Sequence, residues 1–239
     1  MGGTTLGTRV SDGPAPIVAR SLGVLGGTFD PIHVAHLALA QEAAESLGLE
    51  RVLFVPAGSP PHKPGIAITP GADRLAMVKL ATAGNDRFDV SRIELDRDGP
   101  SYTVDTLEAL AAARRADGAA IAGGSQPPVA GDLTLILSAD AFLGLRSWHE
   151  PRRVLELARL AVAPRDGYPE AGPDFLATHF PDLAHRAVFL EGPRIRLSAS
   201  VLRDRAAAGR SLRYLVPDAV AAYIGDHGLY RSPRRNDQT

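Results

Sequence analysis

Two histidines three residues apart, His33 and His36, follow a pair of glycines in the segment GGTFDPIHVAH (26–36). Residues separated by three positions share a helix face, so both imidazoles can point toward one site at a helix start. Free backbone N–H groups and the helix dipole favour a phosphate there. The segment has neither the Gly-Lys-Ser/Thr ending of a P-loop nor a GxGxxG fingerprint. This pattern predicts a phosphate-handling site that uses imidazole in place of lysine.

The imidazole pair also has simpler interpretations. Either histidine alone could cap the helix or pack against it, and the pair together could ligate zinc. Zinc is the weaker alternative, because the spacing supplies two ligands and no third histidine, cysteine or nearby carboxylate is obvious.

Composition limits the class of protein. The chain has 239 residues, of which 45% are hydrophobic and 22% are charged, so a folded globular protein is expected. Its 26 basic and 27 acidic side chains leave a net charge of -1, which favours neither a nucleic-acid nor a membrane partner. Cysteine is absent, which excludes disulfides, thiolate nucleophiles and cysteine-based metal sites. No segment resembles a membrane span or a secretory signal, so a cytoplasmic location is expected.

Strand-type and helix-type segments alternate along the chain. Strands are expected at 21–27, 51–57, 88–95, 133–139, the second half of 151–165 and 186–192. Helices are expected after His36 as far as Gly48, at 72–84, at 101–116, in the first half of 151–165, at 201–209 and at 216–228. This order predicts an α/β doubly wound parallel sheet, Rossmann-like, with ligands at the carboxyl ends of its strands.

One domain is expected over residues 17–230, with a small helical extension at its C-terminal end. Residues 1–16, which are rich in Gly, Thr and Pro, are expected to form a flexible lead-in, and residues 231–239 a polar tail. The Gly-, Ala- and Pro-rich stretch 117–131 is predicted to be a surface loop inserted between a helix and a strand.

The segment GGTFDPIHVAH resembles the signature loop of the bacterial nicotinate mononucleotide adenylyltransferases, in the nucleotidyltransferase superfamily whose motif is His-x-Gly-His. Ala35 stands where that family usually has glycine. Further segments are similar to the family in the same order: PPHK (60–63), SYT (101–103) with Thr106, SAD (138–140) with Trp148, LSASVLR (197–203), and YLVP (214–217) with Tyr223 and Ile224. Ser138 replaces a usual glycine, and Ala199 and Val201 are further differences. The resemblance covers about residues 21–230.

The resemblance implies an enzyme of NAD biosynthesis that transfers AMP from ATP to nicotinate mononucleotide. The products would be nicotinate adenine dinucleotide (deamido-NAD) and pyrophosphate, formed by direct in-line attack without a covalent intermediate. Mg²⁺ would act bound to the ATP phosphates, and no protein metal ligand is expected. ATP and nicotinate mononucleotide would be the partners, with no nucleic acid and no membrane; the sequence leaves the oligomeric state open, a homo-oligomer included.

The resemblance also assigns site residues. The catalytic set is His33, His36, Lys63 and Arg203. The ATP-binding set is Gly26, Gly27, Thr28, Phe29, His33, His36, Asp140, Ser198, Ser200 and Arg203. The acceptor-binding set is Asp30, Lys63, Tyr102, Thr103, Thr106 and Trp148. The two imidazoles are expected to donate hydrogen bonds to ATP phosphate oxygens, as groups that titrate near neutral pH. The backbone N–H groups of Tyr102 and Thr103 are expected to bind the nicotinate carboxylate.

Each assignment has a structural alternative. Ser198 and Ser200 could cap a helix, Asp140 could cap the helix that follows it, Trp148 could belong to the core and Lys63 could be an exposed loop residue. Three functional alternatives remain open: an adenylyltransferase that uses nicotinamide mononucleotide, one that uses phosphopantetheine, and a non-catalytic nucleotide-binding regulator on the same fold.

Overall fold

The computed structural model describes residues 21–60, 68–122, 133–169, 172–192 and 194–231, with side chains in the last turns of the 103–122 helix described only as far as Arg115. The predicted lead-in, most of the predicted polar tail, His62, Lys63 and the second part of the predicted 117–131 loop lie outside these residues.

Strands and helices alternate along the described residues. The strands are β1 (Leu22–Gly27), β2 (Arg51–Pro56), β3 (Phe88–Val90), β4 (Leu133–Ser138), β5 (Arg159–Ala163) and β6 (Ala187–Phe189). The α-helices are α1 (Val34–Ser46), α2 (Gly71–Thr82), α3 (Thr103–Ala122), α4 (Ala139–Leu143), α5 (Pro151–Leu157), α6 (Pro173–His179), α7 (Ala199–Ala207) and α8 (Asp218–Asp226). Two short 3₁₀ helices occupy Leu145–Ser147 and Pro181–Arg186.

The strands form one parallel sheet in the order β3-β2-β1-β4-β5-β6. From β1 the chain winds outward through β2 and β3, and it then returns beside β1 to wind the other way through β4, β5 and β6. This reversal places a crevice at the carboxyl ends of β1 and β4, where doubly wound sheets bind ligands. The predicted fold class is confirmed.

Both faces of the sheet are covered, as the apolar strands predicted. Successive strand residues point to opposite faces, so Val24 contributes to one hydrophobic layer and Leu25 to the other. Helices α1, α2, α7 and α8 cover the face of Leu25, whereas α3, α5 and α6 cover the face of Val24. The two layers hold the central strands rigidly beneath the crevice.

Several predicted boundaries were wrong. The third strand ends at Val90 instead of 95, because the chain turns where Asp96 N–H donates to Arg92 O at 3.0 Å. The last predicted strand is shortened to β6, and α1 begins at Val34, before His36. Residues 117–122, predicted as loop, continue α3, because their many alanines extend the helix despite Gly118. The short helices α4 and α6 were missed. None of the described helices has the length and apolarity needed to cross a membrane.

Candidate active site

The turn that follows β1 packs tightly under the crevice. Phe29 is buried and has a left-handed backbone, with φ of 49°. Its ring lies beneath Gly27, where an added Cβ would come within 2.9 Å of the ring, and it contacts the His36 ring edge-on at 5.1 Å. A Cβ at Gly26 would meet no protein atom within 4 Å. Packing therefore requires glycine at 27, whereas the space above Gly26 is open to a ligand.

The two imidazoles meet at the start of α1. His33 is the N-cap residue and His36 lies one turn later, so their rings stack with centroids 3.7 Å apart. The His33 backbone N–H donates to His36 Nδ1 at 3.3 Å, which leaves the proton of a neutral His36 on Nε2. His33 Nδ1 is buried and has no hydrogen-bond partner within the described part of the chain. The predicted pairing of both rings at a helix N-terminus is confirmed.

Both rings are neutral at pH 7 in this structure. Burial lowers the pKa of His33 to about 4, and the positive charge of Arg165 adds to the effect. Burial also holds the pKa of His36 well below its ordinary value, with smaller contributions from His33 and Arg165. The expectation that these groups titrate near neutral pH is therefore wrong for the protein without a bound anion. Neutral imidazoles can still donate one hydrogen bond each.

A polar cluster on α7 faces the imidazoles across one cavity of about 420 Å³. Ser198 caps α7 by accepting from Val201 N–H at 3.4 Å, and its Oγ lies 3.1 Å from that of Ser200. Arg203 donates to the backbone carbonyl of Asp30 at 2.8 Å, which ties α7 to the turn after β1. The cavity is lined by residues from both clusters and from the turn after β1: His33, His36, Ser198, Ser200, Arg203, Thr28 and Phe29. The two halves of the predicted ATP site thus share one crevice.

A further cation, Arg165, lines the same cavity and was missed in the sequence. It lies two residues after the end of β5, and its guanidinium donates to Asp140 Oδ2 at 2.8 Å. Asp140 also accepts from Ser138 Oγ at 2.6 Å. Ser138 and Arg165 line the cavity, whereas Asp140 lies behind them. Because neighbouring parallel strands end at the same edge of a sheet, an arginine just after β5 was the available sequence signal.

Of the side chains expected to bind the acceptor, Lys63 lies outside the described residues, and the others lie apart from this cavity with the exception of Asp30. Tyr102 packs its ring 4.3 Å from that of His149, Thr103 begins α3, and Trp148 packs partly buried against the layer of Val24. Thr106 is 2% exposed and donates to Glu94 Oε1 at 2.7 Å. In this structure its hydroxyl is engaged by Glu94, and its contact with the acceptor stays a prediction.

Asp30 lines the cavity, but its carboxylate is engaged by the protein. Oδ1 accepts from Tyr230 Oη at 2.7 Å and Oδ2 accepts from Thr69 N–H at 3.3 Å. The residue is buried. Asp30 therefore fixes the turn after β1 to the C-terminal segment, and its carboxylate has no free face toward the cavity.

Comparisons with known proteins identify the family. A family model described as cytidylyltransferase-like matches residues 24–205. The probable nicotinate-nucleotide adenylyltransferase of Roseiflexus sp. (strain RS-1) is 48% identical over 210 residues, which cover 88% of this chain and 98% of that protein. The probable nicotinate-nucleotide adenylyltransferase of Thermomicrobium roseum is 44% identical over 211 residues, covering 88% and 92% of the two chains. The chain belongs to the nicotinate-nucleotide adenylyltransferase family.

Solved structures agree with this fold. A Plasmodium falciparum nicotinic acid mononucleotide adenylyltransferase complexed with NaAD superposes with a TM-score of 0.66 at 15% identity, covering 88% of this chain and 97% of that one. The same enzyme complexed with APC gives a TM-score of 0.65 at 14% identity over the same fractions. At such low identity the likeness supports the fold alone.

The two departures that replace a usual glycine, Ala35 and Ser138, are accommodated differently. Ala35 lies in the first turn of α1 and lines the cavity, so its methyl group forms part of the wall. The Ser138 hydroxyl donates to Asp140, a bond that the usual glycine of this adenylyltransferase family lacks. Ser138 thus adds a hydrogen bond that holds Asp140 against Arg165.

Buried polar groups behind the family motifs escaped the sequence analysis. Arg74, on α2, is fully buried and donates to the carbonyls of Thr28 and Thr69 at 2.8 and 2.9 Å. It therefore holds the turn after β1 from beneath. Nothing in the sequence separates this arginine from an ordinary exposed one, because its two partners are backbone carbonyls, which any residue type supplies.

A second buried network joins two loops near the SYT segment. Ser101 Oγ accepts from the N–H groups of Gly58 and Ser59 at 3.0 and 3.1 Å. Gly58 must be glycine, since a Cβ would lie 2.2 Å from the Glu94 carbonyl oxygen. Burial raises the pKa of Glu94, while hydrogen bonds from Thr106 and Ser101 oppose that shift. Glu94 thereby connects the loop after β2 to the start of α3.

Proposed function

We propose that this protein transfers the AMP of ATP to nicotinate mononucleotide, which yields nicotinate adenine dinucleotide and pyrophosphate. The observation that carries the proposal is the single crevice shared by the stacked imidazoles and the Ser198–Ser200–Arg203 cluster. Its neutral donors, its guanidinium groups and two helix N-termini suit a triphosphate. The names of the close relatives supply the acceptor.

The chemistry requires little more than positioning and charge stabilisation. A phosphate oxygen of the mononucleotide attacks the α-phosphorus of ATP, the bond from that phosphorus to the α-β bridging oxygen breaks, and pyrophosphate leaves with the electron pair. His33 and His36 donate to oxygens on which negative charge develops, and Arg203 and Arg165 neutralise the departing pyrophosphate. Removing one such donor typically lowers kcat about 10²- to 10³-fold.

Divalent metal ions are general cofactors of nucleotidyltransferases. We propose Mg²⁺, carried by the ATP phosphates and water, where it would neutralise the charge of the triphosphate. The described residues hold no group of three or more His, Cys, Asp or Glu side chains able to bind a metal ion. The cavity wall supplies cations and neutral donors near the imidazoles, which fits a metal that arrives bound to its substrate.

The acceptor would bind beside the crevice, between the loop after β2 and the start of α3. The N–H groups of Tyr102 and Thr103 would receive the nicotinate carboxylate, Trp148 would contact the pyridine ring, and Lys63 would hold the phosphate. An amide in place of the carboxylate would leave the two N–H donors without an acceptor, so the acid should be preferred over nicotinamide mononucleotide. A cytoplasmic location is part of the proposal.

Pyrophosphate release tests the proposal. Purified protein is incubated with Mg-ATP and, in separate reactions, nicotinate mononucleotide, nicotinamide mononucleotide or phosphopantetheine. We expect turnover with the first and at least 10-fold lower kcat/KM with the second, as the loss of paired donors predicts. Turnover with phosphopantetheine alone would reassign the acceptor. No pyrophosphate with any acceptor would support the non-catalytic alternative.

A further inference from the structure

The cavity has a second end that the triphosphate does not explain. Ala35, Leu39 and Glu42 stand at i, i+4 and i+7 on α1, so they share one face of the helix, and all three line the cavity. At 1.5 Å per residue the stripe extends about 10 Å away from the imidazoles at the helix start. The cavity therefore continues along α1 from a phosphate-binding end to an end that carries a carboxylate.

The far end is apolar apart from that carboxylate. Leu39 lies on α1, and Leu197 and Ile195 come from the segment that precedes α7. Ile195 is 38% exposed, so its side chain is available for contact with a ligand in the cavity. These side chains form apolar walls suited to a flat aromatic ring. A carboxylate would repel phosphates, so this end suits the base of the nucleotide.

The Glu42 side chain is held in place. Ser46 Oγ donates to Glu42 Oε1 at 2.7 Å. Gly192 lies against its stem, where an added Cβ would come within 2.5 Å of Glu42 Cγ. Glu42 Oε2 has no hydrogen bond to any part of the chain that the structure describes. A fixed carboxylate with an available oxygen is thus presented at the apolar end of the cavity.

We propose that Glu42 selects the base of the nucleotide triphosphate by accepting a hydrogen bond from the 6-amino group of adenine. This inference rests on the proposed function, because it assumes that ATP phosphates occupy the imidazole end. A 6-oxo purine would place its carbonyl oxygen against the carboxylate, and two acceptors facing each other disfavour binding. Glu42 is then a specificity-determining residue of the donor-nucleotide site.

The test compares ATP with ITP, in which a carbonyl oxygen replaces the 6-amino group. Glu42→Gln keeps the size of the side chain and adds an amide N–H₂ that can donate to the oxygen. We expect the ratio of kcat/KM for ATP to that for ITP to fall about 10-fold, the value of one hydrogen bond to a charged group. Glu45→Gln is the matched control, since Glu45 is exposed on the same helix outside the cavity; its ratio should equal that of the unaltered protein.

Equilibrium binding separates failure of this inference from failure of the proposed function. Dissociation constants for Mg-ATP and Mg-ITP are measured without an acceptor for the unaltered protein and both variants. A lowered ATP preference in Glu42→Gln supports the role of Glu42 even if no pyrophosphate is released with any acceptor. An unchanged preference in Glu42→Gln, with ATP still bound, overturns it, whether or not the enzyme turns over.

Discussion

The triphosphate half and the acceptor half of the site are built in different ways. In the triphosphate half, the motif residues themselves line the cavity, with His33 and His36 on one side and Arg203 on the other. In the acceptor half, the motif residue Thr106 is buried and bonded to Glu94, and it holds a loop in place. We therefore propose that the motif residues contact substrate in one half and position a loop in the other, and the two roles predict different consequences of substitution.

The largest effect is expected in the triphosphate half. Replacing His36 with alanine removes a donor to the charge that develops on the phosphates, so kcat should fall about 10²- to 10³-fold with smaller changes in KM. Steady-state pyrophosphate release measures it. His185→Ala, at an exposed histidine in a 3₁₀ helix, should keep full activity. Full turnover in His36→Ala would contradict the proposal that His36 contacts the reacting phosphates.

Acid should destabilise the triphosphate half. The pKa of His33 is lowered by burial to about 4, so between about pH 6.5 and 4 the unfolded chain takes up a proton that the folded chain does not. The free energy of unfolding should therefore fall as the pH drops through this window, by about 3 kcal/mol from His33. Urea unfolding at pH 7 and at pH 4.5 tests this. The free energy of unfolding of His33→Asn should fall less on acidification than that of the unaltered protein, whereas that of the control His185→Asn should fall by the same amount as in the unaltered protein. Equal losses in all three proteins would contradict the role given to His33.

Arg165 sharpens the comparison, because it lines the cavity but belongs to no motif. Arg165→Ala should lower kcat/KM for ATP about 10- to 100-fold, as expected for a lost hydrogen bond to a charged group, and should leave acceptor KM nearly unchanged. It should also raise the pKa of His33, since Arg165 helps to lower it. Arg146→Ala, at an exposed site in the Leu145–Ser147 helix, is the control. An effect confined to the acceptor KM would place Arg165 in the other half.

Substitutions of Glu94 test whether buried residues in the acceptor half hold the acceptor-binding loop in place. Glu94→Ala leaves the hydroxyls of Thr106 and Ser101 without their acceptor, so the free energy of unfolding should fall by about 2 kcal/mol. Acceptor KM should rise more than ATP KM, which general destabilisation would not produce. Asp96→Ala, which breaks an exposed ion pair with Arg92, should cost about 0.5 kcal/mol or less. Glu94→Gln should recover most of the acceptor affinity. Equal changes in both KM values would deny Glu94 a specific role.

The pH dependence of Glu94 runs opposite to that of the histidines. Its pKa is raised in the folded protein, so its contribution favours folding at low pH and is lost as the pH rises above about 4.5. Burial acts on both groups, but on a base it lowers the pKa and on an acid it raises it. Glu94→Gln should therefore flatten the stability profile above pH 4.5, whereas His33→Asn flattens it below pH 6.5.

The sequence predicted most of the sheet and the triphosphate half. Apolar runs such as 51–57 indicate a strand that is covered on both faces of the sheet, and the spacing of His33 and His36 is a local property of one helix. It did not predict Arg74, Glu94 or Arg165, because the side-chain contacts that define their roles form only in the folded chain. The end of β3 was also missed, because the turn closed by Asp96 N–H and Arg92 O follows it. Local spacing therefore identified the cavity-lining residues that belong to motifs, whereas Arg165 and the buried residues behind the motifs required the three-dimensional fold.

The central claim is that the imidazoles and the α7 cluster hold one triphosphate between them. A crystal structure of the protein with a non-hydrolysable ATP analogue tests it most directly. The account predicts triphosphate oxygens within hydrogen-bond distance of both His36 Nε2 and the Arg203 guanidinium, with the base against Leu39. A triphosphate bound to only one of these two groups, or bound outside the crevice between β1 and β4, would contradict it.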